Sequence, residues 1–171
     1  MQSQKSTGIY PEHFHKYIML VQNEELHSIL IRQSEEVEKL LNSFPENKWL
    51  YKYGEDKWTI KEVLLHIIDT ERVFSNRAFV FARKDPNIIQ SFNENEYAKN
   101  SNANNRNSTS LIEEFLAVRK SMVLLFSGFS EEQLNAIGKG STYEMDVKSV
   151  GYMVAGHLAH HINILKERYL V

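Results

Sequence analysis

The sequence contains no cysteine, and this absence excludes disulfide bonds, thiolate metal ligands and a cysteine nucleophile. Proline and glycine are also scarce, with three and seven copies, so few positions interrupt a helix. The formal net charge at pH 7 is only −2. A nucleic-acid-binding domain usually carries a basic surplus, so we expect no nucleic-acid partner.

Long hydrophobic runs are absent as well. No stretch approaches the ~18 apolar residues that a membrane-spanning helix needs, and residues 1–17 lack the apolar segment of a secretory signal. We therefore expect a cytoplasmic protein that does not bind membranes. Its 171 residues are expected to form one domain, 1–171, in which residues 1–11 are a loose N-terminal arm.

Four amphipathic segments dominate what the sequence does contain, because apolar residues recur in each at helical spacing. Thr59 with Glu62, and Ser110 with Glu113, have the spacing of capping boxes at the starts of the second and third helices. The predicted helices span about residues 24–43, 59–84, 110–127 and 149–168. No strand pattern persists, so the expected fold class is all-α, a four-helix bundle with long inter-helix loops.

The segments between these helices differ in character. Residues 12–22 are expected to form a short helix or an ordered lead-in, and residues 137–148 a turn or small hairpin. Residues 87–107 are polar and rich in asparagine, and they predict either a mobile loop or a lid over a site.

The sequence GHLAHH places three histidines in the most apolar helix. At about 100° per residue, His157 and His161 fall near the middle of the apolar stripe, and His160 falls toward its edge. Side chains four positions apart on a helix are neighbours, so two imidazoles at this spacing can bind one metal ion. Two alternatives stay open: hydrogen-bonded core histidines, or a metal bound through His157 and His160.

A third ligand is expected from another helix, and His66, midway along the second helix, is the best candidate. Glu62 and Asp69 lie on the same side of that helix. Either could accept the second N–H of a ligand imidazole, or could be an ordinary surface carboxylate. The remaining histidines are expected to be solvated; they are His13, His15 and His27.

Two polar residues interrupt apolar faces and are candidates for substrate binding. Gln33 could reach the same polar pocket or lie at a rim, and Arg119 could bind an anionic substrate group or form a surface ion pair. Four aromatic residues could line a pocket mouth, although core packing is the more ordinary role. They are Trp49, Tyr51, Tyr53 and Trp58.

Several segments together resemble the DinB-like superfamily, especially its YfiT-like branch. The most specific are KWTIKEVLLHIIDTER and GHLAHHINILKERY, and the resemblance covers about residues 10–171. It implies a four-helix bundle with a metal bound by His66, His157 and His161, the same set that the helical wheel favours. One departure is Asn93, where the family often has an aspartate, which puts any role of that position in doubt.

The resemblance also implies one divalent transition metal, most often zinc or nickel, and a homodimer. Relatives include enzymes that transfer small thiols such as bacillithiol or mycothiol, an isomerase of maleylpyruvate, and proteins assigned as metal-dependent hydrolases. Three imidazole ligands would leave a coordination position open. That position could take a thiol, which in this cysteine-free chain must come from a cosubstrate.

Three hypotheses follow for the function. The first is an enzyme that activates a low-molecular-weight thiol for S-transfer to a small-molecule electrophile. The second is a hydrolase that uses metal-bound hydroxide, with Asp69, Glu62 or His160 as the candidate general base. The third is a non-catalytic module in which the metal staples the helices together.

Overall fold

The computed structural model describes residues 8–170, and seven helices lie within this range. In chain order they are α1 (His15–Ile18), α2 (Leu26–Asn42), α3 (Ile60–Ala82), α4 (Glu94–Asn100), α5 (Ser108–Ser127), α6 (Glu131–Leu134) and α7 (Val147–Ile164). The four long helices, α2, α3, α5 and α7, form the predicted bundle. No helix within the described range is both long enough and apolar enough to cross a bilayer.

Shorter elements connect these helices. Three are 3₁₀ turns, at Glu12–Phe14, Glu46–Lys48 and Ala103–Asn105, and a π-helical turn, Leu165–Tyr169, continues α7. The strands β1 (Ile137–Lys139) and β2 (Glu144–Asp146) pair in antiparallel register, with Gly138 opposite Met145. The small hairpin predicted within residues 137–148 is therefore confirmed.

The order of the helices around the bundle does not follow their order in the chain. Both α2 and α3 pack against α5 and α7. The sequence neighbours α2 and α3 therefore stand at opposite corners, and so do α5 and α7. This arrangement makes α3 and α7 direct neighbours, so the histidines that they carry can meet.

Side-chain caps determine where the bundle helices begin. Thr59 accepts a hydrogen bond from the Glu62 backbone, and the Glu62 carboxylate accepts one from the Thr59 backbone, which confirms the predicted capping box. The box predicted at Ser110 is wrong. Asn107 caps α5 by accepting from the Thr109 backbone N–H, so α5 begins at Ser108. Asp146 likewise starts α7 two residues earlier than predicted.

The hydrophobic core is divided into two parts along the bundle. The part around the histidines includes Val37, Leu41, Leu64, Ile68, Leu111, Phe115, Leu158 and Leu165. The part next to the hairpin includes Ile29, Leu30, Phe74, Phe81, Met122, Val150 and Val154. Three buried polar residues lie between the two parts on α2, α3 and α5: Gln33, Glu71 and Arg119. We refer to these three residues as the polar layer.

The segment 87–107, predicted as a long polar loop, contains α4 and a 3₁₀ turn and packs against α3. The reason is local capping and anchoring: Asn93 accepts hydrogen bonds from the two backbone N–H groups that open α4, and Ala98 and Ala103 are buried. Asn104 also accepts a hydrogen bond from the Thr59 hydroxyl, at 2.6 Å. These contacts pack the segment along α3, and the alternatives of a mobile loop or a lid stay predictions.

The N-terminal lead-in is ordered, as predicted for residues 12–22. Of the arm predicted for residues 1–11, residues 1–7 lie outside the described range. Ile9, in the described part, donates to the Asp146 carboxylate at 2.5 Å and accepts from the Asp146 backbone at 3.0 Å. This pair of hydrogen bonds ties the chain to the start of α7.

Candidate metal centre

Three histidine side chains from two helices converge inside the bundle. The Nε2 atom of His157 lies 3.0 Å from that of His66 and 3.1 Å from that of His161. Among the described residues these three form a cluster whose candidate ligand atoms all lie within 4.8 Å of one another. The structure thus brings together the three residues that the sequence selects as metal ligands.

The spacing of the nitrogens fits a shared metal ion. A zinc–imidazole bond is about 2.0–2.1 Å long, so two nitrogens on the same ion lie no more than about 4.2 Å apart. The two Nε2 separations around His157 satisfy this limit. Imidazole nitrogens are also the donor type that zinc, nickel and copper accept readily. The residues present therefore fit a divalent transition metal.

Burial keeps the three imidazoles uncharged. Their exposed fractions are 5% for His66, 6% for His157 and 8% for His161. Burial lowers the pKa of His66 to about 4. It also lowers the pKa values of His157 and His161 well below the usual range, and the neighbouring histidines lower them further. At neutral pH each ring is therefore in the neutral form that a metal ligand requires.

Aromatic rings pack against two of the three histidines. The Trp58 ring lies 4.8 Å from the His66 ring, and the Tyr17 ring lies 5.4 Å from the His157 ring, between centroids. The third histidine, His161, instead lines a cleft of about 260 Å³. The cluster is therefore covered by aromatic rings at two ligands and borders open space at the third.

The cleft combines aromatic walls with polar groups. Its lining includes Trp58 from the segment just before α3, Tyr169 from the π-helical turn and Asn95 from α4. The Tyr169 hydroxyl donates a hydrogen bond of 2.6 Å to the backbone carbonyl of Trp58, which fixes the two walls together. Lys57 and Asp56 also line the cleft, and both are exposed.

The carboxylates predicted near His66 have other partners. Glu62 accepts hydrogen bonds from the Thr59 backbone at 2.7 Å and from the Asn104 amide at 3.0 Å. Asp69 lies 3.9 Å from Arg72, and burial raises its pKa. Neither carboxylate forms a hydrogen bond with a histidine among the described residues. Their predicted roles as acceptor or general base therefore stay predictions.

The predicted substrate-binding residues, Gln33 and Arg119, lie in the polar layer away from open surface. Arg119 donates to the carboxylate of Glu71 and to the side-chain oxygen of Gln33. Gln33 in turn donates to the Ala155 carbonyl on α7 at 2.8 Å. The alternatives of a rim position for Gln33 and a surface ion pair for Arg119 are wrong, because both side chains are fully buried. Substrate binding by either residue stays a prediction.

The other histidines lie outside the cluster. His160 is half-buried, and its ring packs 5.4 Å from that of Tyr17. Burial, and then the nearby Lys16, lowers the pKa of His160. The three histidines predicted to be solvated are exposed: His13, His15 and His27. His160 is not one of the three residues in the cluster, so its role as a general base stays a prediction.

Sequence reasoning missed several residues around the cluster. Tyr17 carries no motif of its own, and it reaches the site because α1 packs against α7. Tyr169 ends the GHLAHHINILKERY segment, but only the π-helical turn that continues α7 places it in the cleft. Among the four aromatics considered as pocket residues, Trp58 and Tyr53 line the cleft, whereas Trp49 is in the core and Tyr51 packs against it. The apolar surroundings of Trp49 distinguish it only once the fold is known.

The chain belongs to the DinB superfamily, whose family model matches residues 29–165. No curated protein matches it by sequence. Similar solved structures share the fold at low identity. One is YfiT from Bacillus subtilis, a probable metal-dependent hydrolase with an unusual four-helix bundle topology. Its TM-score is 0.76 at 13% identity, with 96% of this chain and 90% of that chain covered.

Two further structures extend this comparison. A mycothiol-dependent maleylpyruvate isomerase matches with a TM-score of 0.68 and 11% identity, over 85% of this chain. This chain spans 61% of the length of that isomerase. A DinB-like protein, YjoA, from Bacillus subtilis matches with a TM-score of 0.61 and 15% identity, over 84% of this chain and 87% of that one. The fold is therefore shared by proteins of different chemistry.

Proposed function

We propose that the protein is a metal-dependent enzyme in which His66, His157 and His161 hold one divalent ion, zinc or nickel. The observation that carries this proposal is the convergence of three buried, neutral imidazoles beside a cleft. When bound, the ion would supply Lewis-acid chemistry, which lowers the pKa of a thiol or of water. The chain's own residues bind, orient and shield the reactants.

The reaction that we propose is transfer of a low-molecular-weight thiol to a small electrophile. The chain has no cysteine, so the nucleophilic sulfur must belong to a cosubstrate. A fold-level likeness to a mycothiol-dependent isomerase supports a thiol cosubstrate. The cleft at His161 is where both reactants would meet, with Trp58 and Tyr169 as apolar walls that exclude water.

Conjugation of bacillithiol or glutathione to monochlorobimane, followed by fluorescence, tests this activity. We expect the zinc- or nickel-loaded protein to accelerate conjugation and the His161→Ala variant to lose this acceleration. The exposed His27 provides a matched control, since His27→Ala removes an imidazole far from the cluster in sequence and should keep full activity. If none of the cellular thiols offered is conjugated in a metal-dependent reaction, the S-transfer proposal is wrong.

A second candidate is hydrolysis with water as the nucleophile, which the fold-level likeness to YfiT favours. The same three histidines would hold the ion, and Asp69, Glu62 or His160 would be tested as the base. A hydrolase should turn over a model ester or amide without any thiol present. Turnover that requires the thiol would instead support S-transfer.

A third candidate is a non-catalytic module, in which the ion only joins α3 to α7. Removal of a ligand would then lower the melting temperature of the metal-loaded protein and leave no activity to lose. We also propose a cytoplasmic homodimer that acts on small molecules. Light scattering of the metal-loaded protein tests the dimer, and subcellular fractionation tests the location.

A further inference from the structure

A close backbone contact joins α1 to α7 beside the histidine cluster. Gly156, the residue immediately before His157, faces the backbone of Tyr17. A Cβ atom at position 156 would lie 2.0 Å from the Tyr17 carbonyl oxygen and 2.4 Å from its carbonyl carbon. Both atoms belong to the main chain, so no side-chain rotation could relieve the clash. Glycine at 156 is therefore what allows α1 to lie directly on α7.

This contact places the Tyr17 ring against two histidines. Its centroid lies 5.4 Å from the His157 ring and 5.4 Å from the His160 ring, at interplanar angles of 74° and 67°. Edge-on packing at this distance is a favourable geometry for aromatic pairs. The Nζ atom of Lys16 lies 4.8 Å from the Tyr17 ring centroid. The tyrosine ring is thereby held between α7 and the lysine.

His157 is the central member of the cluster. Its Nε2 is common to both short contacts, with His66 and with His161. A metal-ligating histidine is ordinarily oriented by a hydrogen bond from its second nitrogen. The Nδ1 atom of His157 forms no hydrogen bond with any residue in the range 8–170. Packing against the Tyr17 ring is the contact from outside the cluster that can fix the angle of this ring.

We propose that Tyr17 is a positioning residue, whose ring holds His157 in the rotamer that directs Nε2 toward His66 and His161. Gly156 makes this contact possible, because it has no Cβ atom to clash with the Tyr17 backbone. The proposal rests on the proposed function, since it assumes that the three histidines hold a metal. It gives the glycine of the GHLAHH segment a role, and it makes the short helix α1 part of the site.

Metal affinity, measured by calorimetric titration with Co²⁺ and by the visible absorption of the bound cobalt, tests the proposal. The Tyr17→Leu variant keeps an apolar side chain but loses the ring, and it should bind Co²⁺ about tenfold more weakly, as expected for a group that orients a ligand. The cobalt spectrum should change in shape. The Tyr17→Phe variant keeps the ring and should match the wild type in both measurements.

Ile18 provides a control on the same short helix. It is completely buried, and Ile18→Val should lower stability while leaving cobalt affinity and spectrum unchanged. Gly156→Ala should weaken binding further than Tyr17→Leu, but the proposal does not depend on that variant folding. Equal affinity losses in Tyr17→Leu and Ile18→Val would overturn the positioning role, and so would an unchanged affinity in Tyr17→Leu.

The two proposals fail in different ways. If wild-type protein takes up no Co²⁺, Zn²⁺ or Ni²⁺, the proposed function fails. If the wild type binds cobalt and Tyr17→Leu binds it with the same affinity and spectrum, only the positioning role fails.

Discussion

Two groups of buried polar side chains in the bundle, the polar layer and the histidine cluster, differ in how their polar atoms are paired. In the polar layer, the charge of Arg119 is paired with that of Glu71, and Gln33 links the pair to α7. In the histidine cluster, three neutral rings point their nitrogens at one another and border a cleft. The layer pairs its two charges within the protein, although Glu71 Oε2 and Arg119 Nε have no hydrogen-bond partner among the described residues. The cluster consists of three imidazoles and includes no charged partner.

This difference assigns separate roles to the two regions. A buried ion pair that has no exposed surface can contribute to the register of the four helices. Without a metal, the imidazoles are close enough to form hydrogen bonds with one another through His157 Nε2, but His161 Nδ1 has no partner among the described residues. An unpartnered buried polar atom costs stability. We therefore expect substitutions in the polar layer to change the free energy of unfolding, and substitutions in the histidine cluster to change metal affinity.

The largest expected effect comes from breaking the polar layer. Glu71→Leu would leave the Arg119 guanidinium buried without a counter-charge, and the free energy of unfolding should fall by about 3–5 kcal/mol. Urea denaturation measures this loss. Replacing both members, by Glu71→Leu with Arg119→Met, should recover most of it, because no buried charge remains unpaired. Unchanged stability in the single variant would contradict the distinction between the two regions.

Acid should destabilise the metal-free protein through the cluster. The pKa of His66 is lowered by burial from 6.5 to about 4, so the unfolded chain binds more protons between these values. As far as His66 is concerned, the free energy of unfolding is highest above pH 6.5 and decreases as the pH falls toward 4, because the buried ring resists the proton that the unfolded chain takes up. The loss from this residue alone is at most about 3 kcal/mol.

Thermal unfolding at a series of pH values checks this expectation. His66→Gln should flatten the pH dependence, while the exposed His27→Gln should leave it unchanged. A stability that rises on acidification through this range would show that the cluster is not held in its neutral form.

The smallest expected effect concerns a hydroxyl next to the layer. Thr70 Oγ1 is buried and has no hydrogen-bond partner within the described part of the chain. Thr70→Val removes this unsatisfied group at nearly constant shape and should raise the free energy of unfolding by up to about 1 kcal/mol. Urea denaturation measures the gain, and metal affinity should not change. A clear loss of stability would mean that the hydroxyl belongs to the layer's network.

Two of the three cluster residues can be predicted from the sequence because they lie close together on one helix. His157 and His161 lie four residues apart on one apolar face, and the period of the helix brings them together whatever the tertiary structure. His66 requires in addition that α3 and α7 be neighbours, which helical periodicity alone does not determine. The family resemblance supplied that information, and the fold confirms it.

The polar layer and the cleft were harder to predict because they depend on tertiary packing. Glu71 interrupts an apolar stripe without any local sign that its partner is Arg119, 48 positions further along the chain. Asn95 and Tyr169 reach the cleft through α4 and the π-helical turn, elements whose positions depend on what they pack against. Helix periodicity therefore predicted the bundle and the pair His157 and His161, but not the residues that surround them.

Whether His66, His157 and His161 hold a metal ion is tested most directly by elemental analysis of protein prepared without a histidine tag. Titration with zinc and nickel follows. We expect one ion per chain in the wild type and none in a variant that combines His66→Ala, His157→Ala and His161→Ala. A triple variant that binds the ion as tightly as the wild type, or a wild type that binds none, would contradict the metal site.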